Sequence, residues 1–140
     1  MIFETKIKIR FRDGDPAGIL FFGNVLGLSH DIFEEFLSQL EIPWKLWFQA
    51  PDWACPIRHS EVDYQSPFFP GEVINVQAKV AQLRENSFTM HYEFKSLHGK
   101  TCALVKIVHV FVNPKSMGKI SIPPLFRKKL EAYHTEQTSV

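Results

Sequence analysis

Cysteine is scarce in this 140-residue chain, and the two present, Cys55 and Cys102, have no paired spacing. Neither a disulfide framework nor a cysteine-based zinc site has support, and a reducing cytoplasm is the expected compartment. Charge of one sign is lacking as well: 16 Lys and Arg against 15 Asp and Glu leave a net charge of +1. That balance removes the electrostatic case for general nucleic-acid binding, so no nucleic-acid partner is expected. Uninterrupted apolar runs are short, residues 19–22 among them, and no membrane span is expected. The opening residues 1–6 show no apolar core with a small-residue cleavage site, so no secretory signal is read there. Repeats, low-complexity tracts and Gly/Ser linkers are absent, and the length suits a single domain over 1–140.

Common catalytic templates are missing too. The chain has no Gly-x-Ser-x-Gly elbow and no Gly-rich phosphate loop. A calcium loop starting at Asp13 fails at Ala17, where a ligand is needed, and at Asn24, where a bidentate Glu should stand. The histidines are His30, His59, His91, His98, His109 and His134, and no two share metal-ligand spacing. No metal and no cofactor is expected.

What the chain has in quantity is aromatic surface: 13 Phe, 3 Trp and 3 Tyr. Such rings fill a core, line an apolar slot or cover a subunit interface. Phe3, Thr5, Ile7, Ile9 and Phe11 alternate with Glu4, Lys6, Lys8 and Arg10, the pattern of a half-buried strand. Asp13-Gly14-Asp15-Pro16-Ala17-Gly18 ends it with turn residues. Ile32, Phe33, Phe36, Leu37 and Leu40 then recur at helical spacing, with Asn24 as the expected N-cap and Pro43 as the stop. Residues 43–54, rich in Trp, Pro and Phe, show no periodicity and read as an aromatic connection.

Four further strands are expected over residues 54–64, 72–83, 87–96 and 101–112, in a meander, with the last apolar on both faces and hence central. Ile74, Val76, Ala78 and Val80 should point inward, as should Phe88, Met90, Tyr92 and Phe94. A short basic helix follows over 125–133, with a polar tail from His134. This order predicts an α+β fold in which one helix covers one face of an antiparallel sheet, so self-association is expected to cover the other.

The chemistry has one promising place. Asp15 stands before Pro16 at the edge of the apolar run 19–22, just ahead of a helix start. Asp13 and Asp15 read equally well as turn formers that accept backbone N–H groups. Alternatively, a carboxylate beside unpaired helix-start amides suits acyl transfer: the amides receive the oxyanion, and the carboxylate attacks the carbonyl or activates a water.

The string Phe11-Arg12-Asp13-Gly14-Asp15-Pro16-Ala17-Gly18-Ile19 resembles the signature of the hotdog-fold acyl-CoA thioesterases, in their 4-hydroxybenzoyl-CoA thioesterase-like branch. A second stretch, Asp63-Tyr64-Gln65-Ser66-Pro67-Phe68-Phe69-Pro70-Gly71-Glu72, resembles the family's second motif. The resemblance implies a hotdog fold, a five-stranded antiparallel sheet wrapped around one long helix. It implies homodimers joined edge to edge through their sheets, and commonly a homotetramer of such dimers. It implies a hydrolase acting on an acyl-CoA with an aromatic or short to medium acyl group, with Asp15 as nucleophile or general base. The backbone amide of Phe22 would bind the thioester oxygen, supported by Gly23 and Asn24, with Asp13 holding the turn.

On the same resemblance, Phe21 lies at the acyl slot, and the segment from His59 to Tyr64 of the partner subunit lines it. His30, or Asp31 with a one-residue shift, falls where the aromatic-hydroxyl enzyme reads its phenol, although an exposed helix histidine is the plainer reading. Arg84 matches a basic loop that contacts CoA phosphates, thin here because Glu85 and Asn86 follow. Arg58, Lys79, Lys106 and the 127–129 basic run are further phosphate candidates. A thiol is a good leaving group, so this route asks for no metal and no histidine base. Two other readings compete. A non-catalytic hotdog module would bind acyl-thioesters or an acyl carrier protein without turnover. A hotdog dehydratase would want a histidine base in the slot.

Overall fold

The computed structural model describes residues 1–135. Its elements run β1 (Phe3–Lys8), a 3-10 turn (Phe11–Asp13), α1 (Asn24–Gln39), α2 (Trp44–Gln49), β2 (Ile57–Tyr64), β3 (Val73–Leu83), β4 (Ser87–Ser96), β5 (Thr101–Val110) and α3 (Pro124–Glu131). All strand pairs are antiparallel, in the order β1-β3-β4-β5-β2. The architecture is α+β, with five strands curled around the long helix α1.

Period-two alternation dictates which face of the sheet turns inward. Ile74, Val76, Ala78 and Val80 are fully buried, as are Met90 and Phe94, with Phe88 and Tyr92 nearly so. They meet Val25, Ile32, Phe33, Phe36 and Leu37 of α1 in one continuous core. The helix-period stripe and the strand-period stripe thus close on each other. Ring contacts mark the seam: Phe36 lies 5.8 Å from Phe3 and 5.0 Å from Tyr133, centroid to centroid. Most of the aromatic excess is core, since Phe33, Phe36, Phe68, Phe88, Phe94, Phe111 and Phe126 are all buried.

Five details differ from the sequence reading. First, the strands do not form a four-strand meander, because β2 lies beside β5 at the far edge while β3, β4 and β5 run as hairpins. The link after β2 crosses the sheet instead of turning back, anchored by buried Phe68 against Phe94 at 5.8 Å. Second, β4 is therefore the middle strand, and β5 is interior but one place from the edge. Third, Phe11 leaves the β1 face and is 95% exposed, because the chain enters the 3-10 turn there. Fourth, Gly23 rather than Asn24 is the N-cap of α1, and the Asn24 side-chain amide donates instead to the Asp13 carbonyl at 2.9 Å. Fifth, the aromatic connection contains α2, whose Trp47 packs edge-on against Phe33, Trp53, Phe111 and Phe126.

The outer face of the sheet is not uniformly apolar. Val108, Val110 and Val112 form a small cluster covered by Ala54. Farther along the same face come Lys106 of β5 and Glu93 of β4, both partly exposed. The tail is tied down at its start, with Thr135 N–H donating to the Val80 carbonyl at 3.1 Å. The rest of the expected polar tail, 136–140, lies outside the described residues. No helix among the described residues is long and apolar enough to cross a membrane.

Candidate active site

The segment 13–21 folds back on itself as a small hairpin. Gly14 and Leu20 form a bridge, Asp15 N–H donates to the Ile19 carbonyl at 2.9 Å, and Phe21 N–H to the Asp13 carbonyl at 2.8 Å. Asp13 accepts the Arg10 amide on its carboxylate at 2.8 Å, so it locks the preceding turn. Gly18 closes the tip at φ +81°, a left-handed conformation that glycine adopts without steric cost. Gly14 is needed for space: an added Cβ would lie 2.9 Å from Cγ of Pro70 in the crossing link. The two sequence motifs are thus in direct contact.

Asp15 sits half-buried at the tip of this hairpin. Its Oδ1 accepts the Ala17 N–H at 2.8 Å, which leaves Oδ2 with no hydrogen-bond partner among the described residues. At the hairpin's other end, before α1, the N–H groups of Phe22 and Gly23 meet no acceptor among the described residues. Unpaired donors at the positive end of a 16-residue helix are suited to hold a developing oxyanion.

The Tyr64 hydroxyl, from the end of β2, donates to the carbonyl of Phe22, and the two rings meet edge to face at 6.5 Å. Partial burial raises the Tyr64 pKa, which keeps the donor proton in place. Phe21 stacks on Phe22 at 4.8 Å. A cleft of about 350 Å³ opens here, walled by Ile19, Leu20, Phe22, Tyr64 and residues 65–68.

Within one chain, then, Phe21, Phe22, Gly23, Asn24 and Tyr64 gather at the start of α1. Asp15 is joined to them through the hairpin but does not wall the cleft. His59 lies on β2 with its side chain half-exposed, 3.7 Å from Glu61. The strand β2 is exposed on both faces except at Val62. Arg84 sits at the β3–β4 turn, where its carbonyl accepts the Arg127 guanidinium. Its sheet end is the one occupied by Leu83, Phe88, His109 and Ile57, opposite the Tyr64 end.

His30 is exposed and lines a second cavity of about 380 Å³, between α1, α2 and the beginning of β2. Two residues the sequence did not single out, Cys55 and His109, also border that cavity. Burial pushes the Cys55 thiol up, away from a reactive thiolate. His109 is 3% exposed and held neutral, its pKa pushed down to about 3 by burial and then by His30. The only sequence signal for either was an apolar neighbourhood, which a core histidine shares.

Residues 9–130 match the thioesterase-like superfamily. The chain is 32% identical to a 1,4-dihydroxy-2-naphthoyl-CoA hydrolase of Gloeothece citriformis over 93% of its length and 92% of the relative's. It is also 32% identical to the enzyme of that name from Nostoc punctiforme, over 88% and 82% of the two chains. Among solved structures, a 1,4-dihydroxy-2-naphthoyl-CoA thioesterase from Synechocystis superposes with a TM-score of 0.87 at 21% identity, covering 93% of this chain and 96% of that one. That likeness establishes a shared hotdog fold. The matched region spans nearly the whole molecule and includes the Asp15 hairpin, the unpaired amides and the long helix behind them, so this chain belongs to the thioesterase-like superfamily.

Proposed function

We propose that this chain, a single domain over 1–140, hydrolyses an aromatic acyl-CoA to the free acid and CoA, with 1,4-dihydroxy-2-naphthoyl-CoA as the first substrate to test. The observation that carries the reading is the pair of unpaired N–H groups at Phe22 and Gly23, beside a carboxylate-bearing hairpin. The relatives' names support the acyl group.

In the general-base route, Asp15 takes a proton from water as the oxygen attacks the thioester carbon. The resulting oxyanion accepts the Phe22 N–H, the C–S bond breaks, and the CoA thiolate leaves. In the nucleophilic route, Asp15 attacks the carbon itself and the C–S bond breaks to release CoA thiolate, giving a mixed anhydride that water opens to the free acid and Asp15. Both routes share one requirement: a free carboxylate oxygen facing the amides.

Because Asp15 does not wall the Phe22 cleft of its own chain, the working site forms in a homodimer. The exposed edge β2 is the pairing strand, since a long unpaired edge invites another strand. His59 then lines the slot from the partner side, Tyr64 stays beside Phe22 of its own chain, and two such dimers form the homotetramer. Arg84 contacts CoA phosphate, and the enzyme works in the cytoplasm.

The test is a panel of acyl-CoAs with a thiol reagent to report free CoA. Release that depends on Asp15 supports the reading. Tight binding without release would mean a binding module for acyl-thioesters or an acyl carrier protein.

A further inference from the structure

The outward face of the sheet carries its charge in rows that run across the strands. Antiparallel register sets Lys79 of β3 opposite His91 of β4, His91 opposite Lys106 of β5, and Lys106 opposite Glu61 of β2. Two residues along each strand, the next row holds Glu4, Gln77, Glu93, Leu104 and Asp63, one from each strand. Beyond it the sign turns again, with Lys6 and Lys95 on either side of Asn75. The stripes read basic, acidic, basic.

The first row is poorly relieved within the chain. Side chains directly opposite on adjacent strands lie about 5 Å apart, where like charges repel. Lys106 meets Glu61 only at 3.7 Å, and Lys79 has no ion-pair partner among the described residues. The pKa of His91 is pushed down by burial and then by Lys106 and Lys79, with Glu61 opposing them. Apolar groups interrupt the same face. Leu104 is 41% exposed in the acidic row, and Ile2, just ahead of β1, is 49% exposed. Both wall a cavity of about 440 Å³ together with Lys79, His91, Lys106 and Glu93.

The sign pattern decides what covers this face. A small polyanion is disfavoured, because Glu61, Asp63 and Glu93 line the same cavity as the bases. A second copy of the face fits. Rows of opposite sign one step apart are self-complementary: a facing copy shifted by one row seats acid over base in both directions, as an isologous contact requires. The area suffices too. Two five-stranded sheets joined through β2 form a face about 48 Å wide, and about 20 Å of strand length gives about 1,000 Å² per dimer. Two such faces bury at most about 2,000 Å², within the range of stable interfaces.

We propose that the outer sheet face docks on the outer sheet face of a second copy, basic row over acidic row, and that this contact joins two β2-paired dimers. The inference rests on the β2 dimer proposed above and uses none of the reacting groups. It assigns the second interface of the assembly to the sheet and leaves α1 and α2 facing away from it.

The experiment measures mass by light scattering at micromolar concentration for wild-type protein and two charge-reversed variants. Lys79→Glu with Lys106→Glu makes the face acidic, and Glu61→Lys with Glu93→Lys makes it basic. Wild type should be a tetramer. Each variant alone should be a dimer, its tetramer dissociation constant raised at least about a hundredfold by like charges brought face to face. An equal mixture of the two variants should regain the tetramer, which shows that both are folded. A variant that stays tetrameric, or a mixture that stays dimeric, overturns the proposal.

The two interfaces fail separately. If wild type is a dimer and the acidic variant a monomer, the sheet face stands and the β2 pairing fails. If both are dimers, the sheet face fails. A monomeric wild type overturns both. Salt gives a readout that needs no variant: screening at 1 M NaCl shortens the reach of charge to about 3 Å, so the wild-type tetramer dissociation constant should rise at least about tenfold between 0.1 and 1 M. A constant that does not rise with salt overturns the pairing of charged rows.

Discussion

The hydroxyl of Tyr64 donates to the carbonyl of Phe22, so the last residue of β2 holds the peptide plane that leads into α1. A trans peptide is planar, and its C=O and N–H point in opposite directions. Fixing the Phe22 carbonyl therefore fixes the direction of the Gly23 N–H, one of the two unpaired donors. Removing the hydroxyl with Tyr64→Phe keeps the ring and its edge contact. A partly exposed hydrogen bond contributes about 0.5–1.5 kcal/mol. We expect stability to fall by no more than that, while kcat drops about five- to tenfold, a loss of about 1–1.4 kcal/mol in transition-state stabilisation. Chemical denaturation and steady-state kinetics on the same preparation check both numbers.

The contact between Gly14 and Pro70 predicts a different outcome. Gly14→Ala places a methyl 2.9 Å from Pro70 Cγ, and both partners belong to constrained turns. Overpacking of this kind costs about 1–3 kcal/mol, and the displaced hairpin carries Asp15 with it, so activity should fall further than stability. Gly27→Ala serves as the control. Gly27 is an exposed position inside α1 with nothing within 4 Å of an added Cβ. The change should stabilise the protein by about 0.5–1 kcal/mol. Urea midpoints of the two variants should move in opposite directions.

Acid should weaken the fold through His109. Its native pKa lies near 3, below the ordinary value of 6.5 that the unfolded chain regains. Between those values the unfolded state binds a proton and the native state does not, so stability falls as pH drops. The slope from this one group approaches about 1.4 kcal/mol per pH unit across that window and vanishes above it. His109→Phe should flatten the decline between pH 6 and 4 while leaving the curve above pH 7 parallel to wild type. Unfolding measured in urea across that range checks it. A decline of unchanged steepness would place the proton uptake elsewhere.

How much of this was legible beforehand follows the range of the forces involved. Strand faces such as Ile74 to Val80 and the α1 stripe follow local periodicity, and their inward positions are buried as the alternation predicts. The place of β2 beside β5 was not legible, because period-two patterning states which face is buried and never which neighbour a strand pairs with. Nor was α2: Trp44, Trp47 and Phe48 give no amphipathic stripe over six residues, and tertiary packing of Trp47 holds the turn. At the site, the Asp13 and Asp15 turn was readable from turn chemistry. The family motif put Tyr64 at the slot from the partner subunit, and its bond to Phe22 of its own chain was not legible, because no local pattern says which carbonyl a strand-end hydroxyl meets. His109 was invisible, since a histidine in an apolar strand looks the same whether it stacks in a closed core or walls a cavity.

The most direct test of the account is the single-turnover rate of thioester cleavage by Asp15→Asn, measured with enzyme in excess over 1,4-dihydroxy-2-naphthoyl-CoA. Asparagine keeps the size of the side chain and an oxygen for the Ala17 N–H, but it has no negative charge with which to attack or to take a proton. The account predicts at least about a hundredfold slower cleavage with the substrate still bound. A rate within a few-fold of wild type would contradict it.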